Sequence, residues 1–265
     1  MASDGLPVLW HIRVSNFNEK ARWALDYKRV PHRRKDPMPG AHMAIAFALT
    51  RRVATFPVLQ IDGKAIGDST PIIAALEEHF PDPPLYPADP DARRRALELE
   101  DYFDEHLGPH VRRVAFGELI NNPEFLAPIG ASGPVFRALL RGRYFVTDRS
   151  AARSLDKVRE AMGEIENVLD GREHLVGDRF TVADLAAAGL VGPLLRAPQL
   201  QYGVATGPVP PSLERISNEL RARPAGQWAL RTYERYRPPS AAVNEREPDP
   251  APAAGRAERE PVGRS

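Results

Sequence analysis

Hydrophobic and polar positions fall into two regimes along the chain. Up to Phe80, short β-branched or aromatic runs alternate with helical periods; beyond Asp91 only helical periods recur. Val8 to Val14 carries a strand pattern. Asn16 with Glu19 three residues later forms a capping-box pattern, followed by Ala21, Trp23, Ala24, Leu25 and Tyr27, until Val30-Pro31 stops the helix. His32 to Asp36 reads as an edge strand blunted by Pro31 and its charges, and His42 to Leu49 as a weak helix. Pro57 to Ile61 is an apolar run headed by proline, which suits the first position of a strand. Asp62-Gly63 supplies a tight hairpin turn, with Ala65 to Gly67 returning. Asp68-Ser69 then caps a helix whose apolar face is Ile72, Ile73, Leu76 and Phe80. The order is β-α-β-α-β-β-α. Its first two strands need a crossover to run parallel, and its last two form an antiparallel hairpin.

Phe80 to Pro90 is dense in proline, cannot continue a helix and reads as a linker of limited flexibility. Asp91 to Leu119 is a long amphipathic stretch that Gly108-Pro109 kinks or breaks. Asn121 to Gly133 reads as a loop or broken turn. Val135 to Phe145 and Ser154 to Leu169 are further helices, the second ending at Asp170-Gly171. Thr181 with Asp184 makes a second capping pattern, Phe180 placed to staple onto Leu185. Ser212 to Ala222 and Ala225 to Tyr236 are parted by Pro224. Residues 237–265 are rich in Pro, Ala, Glu and Arg and hold too little apolar surface to order, so they are expected to be disordered.

Composition narrows the classes. The chain's 265 residues suffice for one large domain or two small ones. Lys and Arg number 36 against 35 Asp and Glu, which argues against a dedicated nucleic-acid binder. The basic run Arg29 to Lys35 reads as a solvated edge. No cysteine occurs, so there is no disulfide, thiolate metal site or cysteine nucleophile. Met1 to Pro7 lacks the features of a signal peptide, and no apolar run reaches membrane-spanning length. The expectation is a soluble, cytoplasmic protein without membrane or nucleic-acid partners.

The hairpin and the helix after it place a strand edge beside a helix N-terminus. Unpaired backbone groups and a positive dipole end suit the carboxylate and backbone of a peptide-like ligand. Phe56-Pro57-Val58 followed by Asp68-Ser69 resembles the glutathione-binding motif of cytosolic glutathione S-transferases. The resemblance implies a cis Pro57, Val58 pairing its backbone with the cysteinyl part of glutathione, and Asp68-Ser69 holding the γ-glutamyl end. The proline-rich linker and Phe180-Thr181-Val182-Ala183-Asp184 also resemble the family. The implied fold is a thioredoxin-like α/β domain over residues 6–82, a linker over 83–91 and an all-helical domain over 92–236, followed by the tail at 237–265.

The chemistry so implied is attack of the glutathione thiolate on a hydrophobic electrophile, with glutathione as co-substrate and no metal. A free thiol titrates near ~8.5 and is mostly protonated at neutral pH. Lowering it by about two units takes about 2.7 kcal/mol of preference for the anion. A helix N-terminus with one hydroxyl donor supplies that order of magnitude. Ser15 to Arg22 resembles the family's active-site segment through Ser15, Lys20 and Arg22, but Asn16 replaces the usual proline and Asn18 stands where a second Ser or Cys often lies. Ser15 is the first candidate thiolate donor, and the amide of Asn18 or Asn16 the second. Trp10 reads as core or pocket wall and His11 as solvent-facing. Tyr102, His106, His110, Arg112 and Phe116, with Arg113 near the same stripe, are candidate pocket walls. The pair His106 and His110 falls across Gly108-Pro109, which speaks against a metal site. Family resemblance further implies a homodimer and a role in detoxification. The alternatives are a non-catalytic glutathione-binding or scaffold protein, and another glutathione-dependent enzyme such as an isomerase, dehalogenase or peroxidase.

Overall fold

A computed structural model describes residues 5–37, 41–120, 133–144, 146–202 and 209–243. Strand β1 (Val8–Trp10), helix α1 (Asn16–Tyr27) and strand β2 (Arg33–Lys35) form a parallel crossover, with Val8 opposite Arg33. Helix α2 (Ala41–Thr50) leads to the hairpin of β3 (Val58–Ile61) and β4 (Lys64–Gly67), and helix α3 (Ser69–His79) closes the unit. The sheet runs β2-β1-β3-β4, β3 lying antiparallel to both its neighbours. Asp62 and Gly63 both take positive φ, 47° and 74°, the backbone that a two-residue hairpin requires. This is a thioredoxin-like domain.

The helical domain comprises α4 (Pro90–His106), α5 (Gly108–Leu119), α6 (Gly133–Tyr144), α7 (Asp148–Leu169), α8 (Val182–Leu195), α9 (Pro211–Ala222) and α10 (Pro224–Tyr236). The expected stretch from Asp91 to Leu119 is thus two helices, parted at Leu107. The expected loop from Asn121 lies outside the described residues up to 132. Helix α7 starts earlier than its apolar period because Thr147 and Ser150 cap it reciprocally.

Every residue of α8 is buried. Its start is held by Asp184, whose carboxylate accepts from the backbone of Leu175 and Thr181, each at 2.8 Å, and from the Thr181 hydroxyl. The Phe180 ring stacks on Tyr236 at 4.6 Å and lies 5.8 Å from Trp23. Tyr233 reaches α8 because residue 192 is glycine; a Cβ there would stand 2.2 Å from the Tyr233 hydroxyl oxygen.

Helix α1 lies between the sheet and this core, and it buries charge on two faces. On one, Lys20 pairs with Glu100 at 2.7 Å and Asp104 at 2.6 Å on α4. Two carboxylates against one ammonium leave a surplus of negative charge. Burial raises Glu100 above the ordinary carboxylate range, and Lys20 only partly offsets this. On the other face, Glu19 pairs with Arg22 and Arg237, and Asp26 with Arg34 and Arg237, all within 2.9 Å. Burial alone would raise both carboxyls; the guanidiniums, Arg237 foremost, overcome it and hold them low.

Three sequence expectations change here. Glu19 does not cap α1, because its carboxylate is taken by the two arginines. The basic run is not wholly solvated: Arg34 turns inward to Asp26, and His32 is buried with it. Residues 237–243 are ordered against the core rather than belonging to a disordered tail. Arg237 is buried, the Ala241 backbone donates to Asp26 at 2.8 Å, and Ala242 bridges His32 in parallel. The remainder, 244–265, lies outside the described residues.

Candidate functional site

Three loops converge on one place: the β1–α1 turn ending at Ser15, the segment before β3, and the β4–α3 turn. The Phe56–Pro57 peptide is cis. Asp68, at φ 78°, donates its backbone N–H to the Pro57 carbonyl at 3.1 Å, which fastens the third loop to the second. Between them lies an open cleft of about 210 Å³ that includes Ser15, Phe56, Pro57, Asp68 and Arg112 in its lining. Beside it is a smaller, mostly apolar pocket of about 60 Å³, walled by Ile12, Val14, Val111, Ala115, Phe116 and Pro193. Ser15, Thr55, Phe56 and Arg112 line both.

The nominated residues do not all meet there. Ser15 stands at the N-cap of α1 and makes no side-chain capping bond. Asn18 is fully buried: it accepts from the Ile12 backbone at 3.1 Å and donates to the Phe56 carbonyl at 3.2 Å. It braces the loop before Pro57 and lines neither cavity. Asn16 likewise donates to the carbonyls of Gly108 and Leu190, tying α1 to α5 and α8. Asp68 is exposed in the cleft. Ser69 is fully buried, its hydroxyl 3.5 Å from the Asp68 carboxylate. Val58 is buried with Phe56 and Ala46, and only its backbone remains for a ligand.

Among the candidate walls, Arg112 and Phe116 line the pocket. Tyr102 instead stacks on His106 at 4.6 Å, and His110 and Arg113 turn to Ser154 on α7. The expected stripe is divided between α4 and α5, and these four side chains line neither cavity. Trp10 lines neither cavity, its indole N–H donating to Gln60 at 2.7 Å. His11 is buried, not solvent-facing. Burial, and then the Arg22 guanidinium 3.0 Å from its Nδ1, push its imidazole down to about 2. Sequence reasoning missed Thr55, His42 and Phe17 as cavity residues, since nothing in their local pattern marks them. Among the described residues no helix is long and apolar enough to cross a membrane, and no group of three or more His, Cys, Asp or Glu could hold a metal ion.

A thioredoxin-like domain joined to a helical domain, with a polar cleft opening onto an apolar pocket between them, defines a class. The family model of the glutathione S-transferase N-terminal domain matches residues 9–84, and that of the C-terminal domain matches residues 134–224. Together they cover more than half of the chain, which belongs to the glutathione S-transferase family. A probable glutathione S-transferase of Nicotiana tabacum is 25% identical over 204 residues, 77% of this chain and 76% of that one. FtsZ-localized protein A of Caulobacter vibrioides is 31% identical over 123 residues, 46% of this chain and 47% of that protein. A solved glutathione S-transferase of Methylobacterium radiotolerans, in complex with glutathione sulfonate, is 26% identical with a TM-score of 0.53. The match covers 84% of this chain and 94% of that one.

Proposed function

We propose that the protein conjugates the glutathione thiolate to small hydrophobic electrophiles. The observation that carries this reading is that a polar cleft bearing Asp68 and an apolar pocket share one edge, and Ser15 stands on it. Glutathione would lie with its cysteinyl backbone along Pro57-Val58 and its γ-glutamyl ammonium at Asp68, beside the N-terminus of α3. Ser69, being buried, would act through its backbone and by steadying Asp68. The sulfur then falls at the shared edge, within reach of the Ser15 hydroxyl and the positive end of α1. The thiol proton leaves to solvent. The sulfur forms its bond to an electrophilic carbon held in the apolar pocket, and the displaced electron pair departs with the leaving group. Residues 6–82 and 92–236 would act as the two domains of a cytoplasmic homodimer serving detoxification.

The test is calorimetric titration of reduced glutathione into the wild-type protein and Asp68→Ala. Binding should weaken about tenfold or more in the variant, the scale of one charge-assisted hydrogen bond. A folded wild type that binds no glutathione at millimolar concentration would end the reading.

A second reading is a glutathione-binding or scaffold protein without turnover. The structural use of Asn16 and Asn18 favours it, because it leaves Ser15 alone of the nominated donors at the edge. So does the likeness to a relative named for its localisation with another protein. Ser15→Ala separates the two: a large loss of turnover with binding preserved supports catalysis, whereas a panel of electrophiles that wild type never consumes supports the second.

A further inference from the structure

We propose that Arg112 is a second catalytic residue, which stabilises the glutathione thiolate together with Ser15. The inference rests on the reading that the cleft takes glutathione. The reacting sulfur must face both cavities, so it sits against the four residues that line both. Thr55 and Phe56 bear no charge, Ser15 offers a hydroxyl, and Arg112 is the one permanent cation among them.

The side chain is set by its surroundings. Arg112 stands one turn after Gly108, where α5 begins, and its guanidinium lies 5.7 Å from the centroid of the Phe17 ring. Phe17 can occupy that place because residue 108 has no side chain; a Cβ there would stand 2.5 Å from the Phe17 ring. Phe17 follows Ser15 by two residues, so the same turn of chain presents the hydroxyl and positions the guanidinium. Among the described residues, the other titratable groups on the two cavities are His42 from α2, in the apolar pocket, and Asp68, in the cleft. Asp68 lines only the cleft, away from the apolar pocket, and is matched to the ammonium end of the ligand.

A guanidinium in contact with a thiolate lowers the thiol by about one to two units. No oxidant or further reactant is needed, since the step is loss of a proton to solvent.

The test follows the ultraviolet absorbance of the thiolate of bound glutathione against pH in wild type, Arg112→Met, Arg112→Lys and Ser15→Ala. It is paired with calorimetry of S-methylglutathione, whose sulfur carries no proton. Arg112→Met should raise the thiol midpoint by about one unit or more, Arg112→Lys should restore part of it, and affinity for S-methylglutathione should stay within about twofold. An unchanged midpoint with glutathione still bound overturns this proposal alone. So does an equal loss of affinity for both ligands, which would make Arg112 a peptide contact. A wild type that binds no glutathione overturns the underlying reading as well.

Discussion

Ser15, Asn16 and Asn18 lie within one turn and have separate tasks: Ser15 lines both cavities, Asn16 lines the apolar pocket while tying α1 to the helical domain, and Asn18 braces the loop before Pro57. Nothing in a Ser-Asn-Phe-Asn string says which will do which. The assignment depends on carbonyls at residues 56, 108 and 190, far along the chain. His11 teaches the same lesson. A lone histidine at a strand end reads as solvent-facing, yet it is buried in a cluster where three guanidiniums face two carboxylates. A proton on His11 would add to that surplus, so the native state keeps it neutral down to about pH 2. The unfolded chain, with an ordinary value near ~6.5, takes up a proton sooner. Stability should therefore fall as pH drops below about 6.5, by up to about 1.4 kcal/mol per pH unit from this group alone. In His11→Gln, whose amide can still accept from Arg22, urea unfolding between about pH 6.5 and 5 should show a shallower dependence. An unchanged slope would mean that His11 titrates normally.

At the scale of elements, strands, hairpin and most helices were legible, because each is written in local periods and turn residues. The charges on α1 were not legible as buried, since Glu100, Asp104 and Arg237 lie far from it in sequence. An isolated reading of Glu19 and Asp26 sees a polar helix face. Arg237 joins both carboxylates and is itself fully buried. Replacing it with Met leaves Glu19 with Arg22 and Asp26 with Arg34, but removes one buried charge-assisted hydrogen bond from each carboxylate, a loss of about 1.5–3 kcal/mol. Denaturant unfolding of Arg237→Met at neutral pH should register a loss of that order. The difference from wild type should shrink on acidification. Glu19 and Asp26 are held low in the native protein, so their pairing stabilises it above the ordinary carboxylate range and is lost as pH falls through their native values. A variant as stable as wild type would mean that solvent already screens these pairs.

For the whole molecule, the resemblance in a few short motifs sufficed to foresee a thioredoxin-like domain joined to a helical one, and family models match both. Part of what locks the halves together was hidden, because it is made by the last described residues. The last described residues bridge the chain just before β2, on its outer side, where the Val243 backbone donates to the His32 carbonyl at 2.9 Å. On the inner side, the Arg33 backbone donates to the Pro7 carbonyl, also at 2.9 Å. Two strand spacings, about 10 Å, thus separate the chain near its beginning from the chain near its end. The stretch from Pro7 to Val243 comes close to closing on itself. A circular permutant should fold: Val243 joined to Pro7 through about eight Gly and Ser residues, whose typical span of about 15 Å bridges the gap, and new ends opened between the exposed residues Gly177 and Asp178. It should unfold in a single urea transition within about 2 kcal/mol of the parent; a permutant that stays unfolded would mean the two ends do not flank β2.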